Sequence, residues 1–191
     1  MRLAQYSLLT LILLVYLTAI AMPANSYLTA IVSANPETET PFSQDIFTVT
    51  INVVNVTNLN SWQIGLRFNP NILNCTAVKI PQENIFANYT TFDPLPIIDN
   101  GKGLVVKFQA IASSVEVNGS GILCQIEFKA LTPGFSYLNF TEKNVIFNGT
   151  YLQDYVGTFI PFETINATVN VSPPEKLLTV PFHYQNKSYY S

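Results

Sequence analysis

Residues 61–73 read Ser61-Trp62-Gln63-Ile64-Gly65-Leu66-Arg67-Phe68-Asn69-Pro70-Asn71-Ile72-Leu73. Trp62, Ile64, Leu66 and Phe68 take every second position, with Ser61, Gln63, Gly65 and Arg67 between them. That is the period of a half-buried strand and not of a helix. Asn69-Pro70-Asn71 then ends the strand, because Pro fixes φ and lacks an N–H while Asn tolerates positive φ.

The same alternation recurs on both sides of this stretch. Over residues 45–55, Phe47, Val49, Ile51 and Val53 share one face. Over 103–110, Leu104, Val106, Phe108 and Ala110 read as inward and Val105, Lys107 and Gln109 as outward. Over 122–130, Ile122, Cys124, Ile126, Phe128 and Ala130 alternate with Leu123, Gln125, Glu127 and Lys129; near the end, Ile165, Ala167, Val169 and Val171 alternate with Thr164, Asn166, Thr168 and Asn170. Shorter strands are expected at 27–33, 72–80, 95–98 and 135–140, with turns at 99–101, 118–121 and 132–134. Residues 81–96 have no clear period and read as a loop with a short helical turn. About nine short strands with one apolar face each bury those faces by pairing two sheets, so the expected fold is all-β, a two-sheet β-sandwich.

The chain has 191 residues, 11% of them charged, and a formal net charge of -3. No basic patch is available for nucleic acid. Met1 and Arg2 precede an uncharged run from Leu8 to Met22, and Ala19-Ile20-Ala21 has the small-x-small form of a cleavage site, with Ala24-Asn25-Ser26 as a second. The run is short for a membrane span. The expected organisation is a signal peptide over 1–26, one domain over 27–172 and a flexible tail over 173–191, with membrane attachment only through an uncleaved N-terminal segment. Pro173-Pro174 and Pro181 argue against a continued strand in the tail.

Nine Asn-x-Ser/Thr sequons follow the apolar run, at Asn55, Asn74, Asn88, Asn118, Asn139, Asn148, Asn166, Asn170 and Asn186. Chance would give only about three. The excess points to a secreted or cell-surface glycoprotein; the competing reading is that an Asn- and Thr-rich composition breeds sequons. The expected acceptors are Asn55, Asn88, Asn118, Asn139, Asn148, Asn166 and Asn170, with Asn74 disfavoured beside Cys75.

The order of strands, the segment Trp62 to Leu73 with its Asn69-Pro70 turn, Lys102 to Ala110, Gly121 to Ala130, Gly134 to Phe140 and Ala167 to Val171 together resemble the cohesin domain. Asn69 departs mildly from the family, which often has Asp there. The resemblance covers about residues 27–172. It implies a nine-stranded jelly-roll sandwich that is not catalytic and holds a partner, typically a dockerin in assemblies that degrade polysaccharide. The usual docking sheet would here hold 95–98, 103–110, 61–68 and 135–140. Combined with the alternation, it gives Ser61, Gln63, Arg67, Val105, Lys107, Gln109, Tyr137 and Asn139 as outward residues, and Ser61, Gln63, Arg67, Lys107, Gln109 and Tyr137 as the expected partner-binding set. In the family the strands carrying Cys75 and Cys124 are neighbours, and two cysteines in an exported chain oxidise readily, so a disulfide between them is expected.

An enzyme has little support in the residues. His183 is the sole histidine and lies in the tail with no nucleophile to serve. Asp93, Asp99 and Glu127 are scattered, where a glycosidase needs two facing carboxylates. No Asp-x-Asp loop or Cys/His cluster specifies a metal, and no cofactor is expected. The alternative function is a carbohydrate-binding module: Trp62 reads as core, leaving Tyr89, Phe92, Tyr137, Tyr151 and Tyr155 as the exposed rings, and coplanarity of about three of them would be its mark. The expected partner is another extracellular protein, dockerin-like or surface-layer, or else a polysaccharide.

Overall fold

A computed structural model describes residues 29–174. The signal segment, His183, Asn186 and the tail beyond Pro174 lie outside the described residues. Among the described residues, thirteen strands run in the order β1 (Ala30–Asn35), β2 (Thr38–Glu39), β3 (Ile46–Leu59), β4 (Ser61–Arg67), β5 (Leu73–Lys79), β6 (Thr91–Phe92), β7 (Ile97–Asp99), β8 (Leu104–Ile111), β9 (Val117–Ala130), β10 (Gly134–Phe140), β11 (Tyr151–Gln153), β12 (Phe162–Ile165) and β13 (Ala167–Val171). The nine expected strands are present, and β2, β6, β11 and β12 are short additions. Five strands form one sheet in the order β12-β1-β3-β9-β5. The other runs β2-β13-β10-β4-β8-β6, with β11 also on β4 and β7 also on β8. The core between them includes Val49, Ile51, Ile126 and Phe128 from the first sheet and Trp62, Ile64, Leu66 and Val169 from the second.

Three departures from simple alternation matter. Residues 118–121 do not turn: they lie within β9, where Gly119 has φ 122° and pairs with Val56. The β3–β9 register slips between Ile51 and Asn52, a bulge that buries both Leu123 and Cys124 and turns Ile122 toward the opposite face. At Asn166 the chain crosses between sheets, so Ile165 ends β12 in the five-stranded sheet, partly exposed, while Ala167 begins β13 in the other. Residues 81–90 form turns rather than a helix, capped by Asn84 Oδ1 accepting from the Phe86 N–H at 2.8 Å.

The largest correction concerns β8. Its register with β4 sets Gln109 opposite Trp62, Lys107 opposite Ile64 and Val105 opposite Leu66. Directly opposed residues of an antiparallel pair point the same way. Val105, Lys107 and Gln109 therefore face into the sandwich, and Leu104, Val106, Phe108 and Ala110 face outward. Lys107 and Gln109 are only 4% and 3% exposed. The ammonium is accommodated because its Nζ donates to the Asp93 carboxylate and, at 2.7 Å, to the Pro94 carbonyl, while Gln109 Nε2 donates to Thr91 Oγ1.

The expected disulfide is absent: Cys75 and Cys124 are free and buried. Their strands are neighbours, but Cys75 stands opposite Phe128, four residues from Cys124, or about 13 Å along the strand. A bridge needs Cα atoms within about 7 Å.

Candidate functional site: the outer face of the eight-stranded sheet

The sequence leaves this sheet and returns to it twice: one excursion lies along the free edge of β8, and the other lays a flap on the outer face over Gly65. Residues 93–96 separate β6 and β7, which both pair with β8. Residues 141–150 separate β10 and β11, which both pair with β4. The second flap is fastened at Gly65. The Thr141 N–H donates to the Gly65 carbonyl at 2.9 Å, and the Thr150 hydroxyl donates to the same carbonyl at 3.0 Å. In return the Gly65 N–H donates to Thr150 Oγ1 at 3.2 Å, and Gln63 Nε2 donates to the Gly149 carbonyl at 2.9 Å. A Cβ at position 65 would run into Thr141 Oγ1 and the Asn148 carbonyl. Glycine is what allows the close approach.

Of the six residues expected to meet a partner, only Arg67 and Tyr137 reach solvent. Ser61 and Gln63 do point outward, but β11 and the flap cover them, and Ser61 Oγ lies against Gln153 Oε1 at 3.4 Å. Lys107 and Gln109 are inside. Val105, also expected outward, is core, whereas Asn139 is exposed as expected.

What the flaps and the short strands beside them present instead is apolar. Leu95 is 92% exposed and Phe147 85%, and Phe92, Ile97 and Ile146 are also exposed. Phe135 and Tyr137 on β10 extend the same face. Leu95 falls outside its expected strand at 95–98, which begins instead at Ile97, and Phe147 is on no strand; the Pro-flanked Asp93-Pro94-Leu95-Pro96 is the sequence signal for the first. Trp62 is fully buried, as its alternation implies. Among the rings expected at the surface, Tyr89, Phe92, Tyr137 and Tyr155 are exposed, but Tyr151 is buried, which pushes its hydroxyl pKa upward.

Arg67 stands between two shallow clefts. One, of about 280 Å³, is lined by Arg67, Phe68, Asn69, Phe135, Tyr137 and Asn139. The other, of about 270 Å³, lies along the flap past Glu142, Val145 and Phe147. Across the molecule, on the five-stranded sheet, Glu127 accepts from the Thr76 hydroxyl at 2.7 Å and pairs with Lys79 at 3.1 Å. These contacts hold its carboxyl below its ordinary pKa, opposite to what a proton-donating acid requires. Asp99 is lowered in the same sense by Lys102.

No family model matches the sequence, and no curated protein does. Solved structures match well. A type II cohesin domain from the cellulosome of Acetivibrio cellulolyticus superposes with a TM-score of 0.62 at 21% identity, covering 74% of this chain and 95% of that one. A non-cellulosomal cohesin from the hyperthermophilic archaeon Archaeoglobus fulgidus gives 0.56 at 20% identity, over 75% and 91%. A chain of a type II cohesin–X–dockerin complex from A. cellulolyticus gives 0.61 at 16%, over 72% and 98%. The domain is thus a cohesin-like β-sandwich, and likeness at these identities speaks to its fold.

Proposed function

We propose that this chain is an exported, non-catalytic binding module that holds another extracellular protein, of dockerin or surface-layer type, through the outer face of the eight-stranded sheet, within an assembly linked to polysaccharide binding or degradation. The observation that carries this reading is the exposure of Phe92 on β6 and Ile97 on β7, of Leu95 on the loop between them, and of Ile146 and Phe147 on the 141–150 flap, on the sheet that also exposes Phe135 and Tyr137. Large apolar side chains exposed on a folded domain favour association, and aromatic side chains are the usual anchors of protein interfaces. The likeness to a chain taken from a cohesin–X–dockerin complex supports the same class of partner. Export is supported by the N-terminal apolar segment, and by the exposure of Asn55, Asn88, Asn118, Asn139, Asn148, Asn166 and Asn170 at the surface.

The carbohydrate-binding alternative calls for rings that share a plane. Phe135 and Tyr137 meet at 78° and Phe92 and Phe108 at 62°, both edge to face. Such pairs do not make a flat platform for a sugar. The test is a pull-down of secreted proteins on the chain, run beside a polysaccharide array, with a Leu95→Asp, Phe147→Asp variant in parallel. Loss of the captured protein in a folded variant supports the reading. Unchanged capture places the interface elsewhere, and glycan binding without protein capture favours the alternative.

A further inference from the structure

The cleft between β4 and β10 gathers hydrogen-bond donors and no acid. Arg67 and Asn139 are direct partners in the antiparallel register, which sets the guanidinium and a carboxamide side by side on the outer face. Arg67 is exposed, and none of the ion pairs among the described residues involves it. Glu142 lines only the neighbouring cleft and makes no ion pair with it. Asn69 Oδ1 is engaged, accepting from the Asn71 N–H at 3.1 Å, which leaves the amide NH2 of Asn69 as a donor. Asn at this position also keeps a negative charge out of the cleft. Phe135 and Tyr137, 5.0 Å apart between ring centroids, supply an apolar wall.

A guanidinium offers a planar fork that matches a carboxylate with two parallel hydrogen bonds. In a chain of net charge -3, an unpaired guanidinium beside exposed rings complements a negative group carried next to an apolar one.

We propose that this cleft receives a carboxylate of the docked polypeptide, an Asp or Glu side chain or a chain terminus, with an adjoining apolar side chain against Tyr137 and Phe135. The inference rests on the docking face argued above, but its test needs no partner, so the two fail separately. Isotope-labelled protein with Asn139 unmodified is titrated with phenylacetate, with its neutral analogue phenylacetamide and with galacturonate, following the Arg67 side-chain N–H and the backbone amides of Tyr137 and Asn139 by NMR. The expected result is a saturable response to phenylacetate roughly threefold or more tighter than to phenylacetamide. Arg67→Gln should erase that preference and Arg67→Lys should keep part of it. Asn69→Asp should weaken phenylacetate alone, and it carries the test if Arg67→Gln fails to fold. Equal response to acid and amide, or a preference that survives Arg67→Gln, overturns the proposal. Tighter binding of galacturonate than of phenylacetate also overturns it, in favour of an acidic glycan.

Discussion

Ile64 and Lys107 stand directly opposite one another on β4 and β8 and point to the same side, into the sandwich. Ile64 is fully packed in the core, and Lys107 follows it inward with its ammonium held by Asp93 and the Pro94 carbonyl. The ion pair does more than neutralise a buried charge: it ties residues 93–96, which carry the exposed Leu95, to β8 beside them. The interior of the sandwich thereby sets the position of a surface flap.

The two halves of that pair should respond unequally to substitution. The Lys107 side chain is 5% exposed and that of Asp93 38%. Asp93→Ala leaves an ammonium buried without its anion and should cost about 3 kcal/mol in urea unfolding. Lys107→Met removes the buried charge, leaves a partly hydrated carboxylate and should cost about 1 kcal/mol. A Lys107 facing solvent would make both changes worth less than about 0.5 kcal/mol, which would contradict the β4–β8 register.

This pair also marks where the sequence stopped being legible. In residues 61–73 the alternation is right at every position from Trp62 to Phe68, because that strand has one side in the core and small or polar residues on the other. In β8 it fails because Leu104 and Val106 are buried beneath the outer face while Val105 and Ile111 are buried in the core. Apolar residues on both faces leave the polar ones to decide the phase, and Lys107 and Gln109 point inward where Asp93 and Thr91, on and just after the two-residue β6 that shows no period in the sequence, provide partners. Ser61 and Gln63 point outward as the alternation implies, but β11 and the flap that cover them have no period to read. Arg67 and Tyr137, beyond their cover, are exposed as the alternation implies.

Gly65 should be intolerant of any side chain. Gly65→Ala would drive a methyl group into Thr141 and the Asn148 carbonyl, so either the flap lifts or β4 shifts. Overpacking of this kind costs typically about 1–3 kcal/mol. Limited proteolysis should show new cuts within residues 141–150 of the variant while the rest of the sandwich stays resistant. Unaltered thermal stability together with an unaltered cleavage pattern would mean that the flap does not rest on Gly65.

The free thiols give the protein an alkaline weakness. Burial pushes the pKa of both Cys75 and Cys124 up to about 12, from 9.0 for an exposed thiol. Below pH 9 both are protonated in the folded and unfolded states, and their contribution is intact. Between about pH 9 and 12 the unfolded chain releases protons that the folded chain retains, so stability falls as pH rises, by about 1.4 kcal/mol per unit for each thiol. Comparing urea unfolding of the wild type and Cys124→Ala at pH 8 and pH 10.5 isolates one thiol, and the wild type should lose more. Alkylation provides an independent check: both thiols should be protected in the native protein and modified in denaturant without reductant, and a mass that required reduction first would restore the disulfide.

Glycan occupancy should follow the freedom of each carboxamide. A glycan is joined through the Asn side-chain nitrogen, so an Asn whose oxygen alone is engaged can carry one with its contact intact. Asn118 Oδ1 accepts from the Asn58 N–H at 2.7 Å, and Asn166 Oδ1 accepts from the Phe140 N–H at 3.0 Å; both residues are exposed. Asn74 is different: it is half-buried, and its Nδ2 donates to the Cys75 carbonyl at 3.4 Å. Glycopeptide mapping of the native protein should find Asn118 and Asn166 occupied and Asn74 bare, and the reverse pattern would break the link between structure and occupancy. Asn139 decides a further point, because it lines the Arg67 cleft. A glycan there would cover the guanidinium and confine docking to the flaps around Leu95 and Phe147, so an unmodified Asn139 in the native protein is the result expected of a cleft that receives a partner.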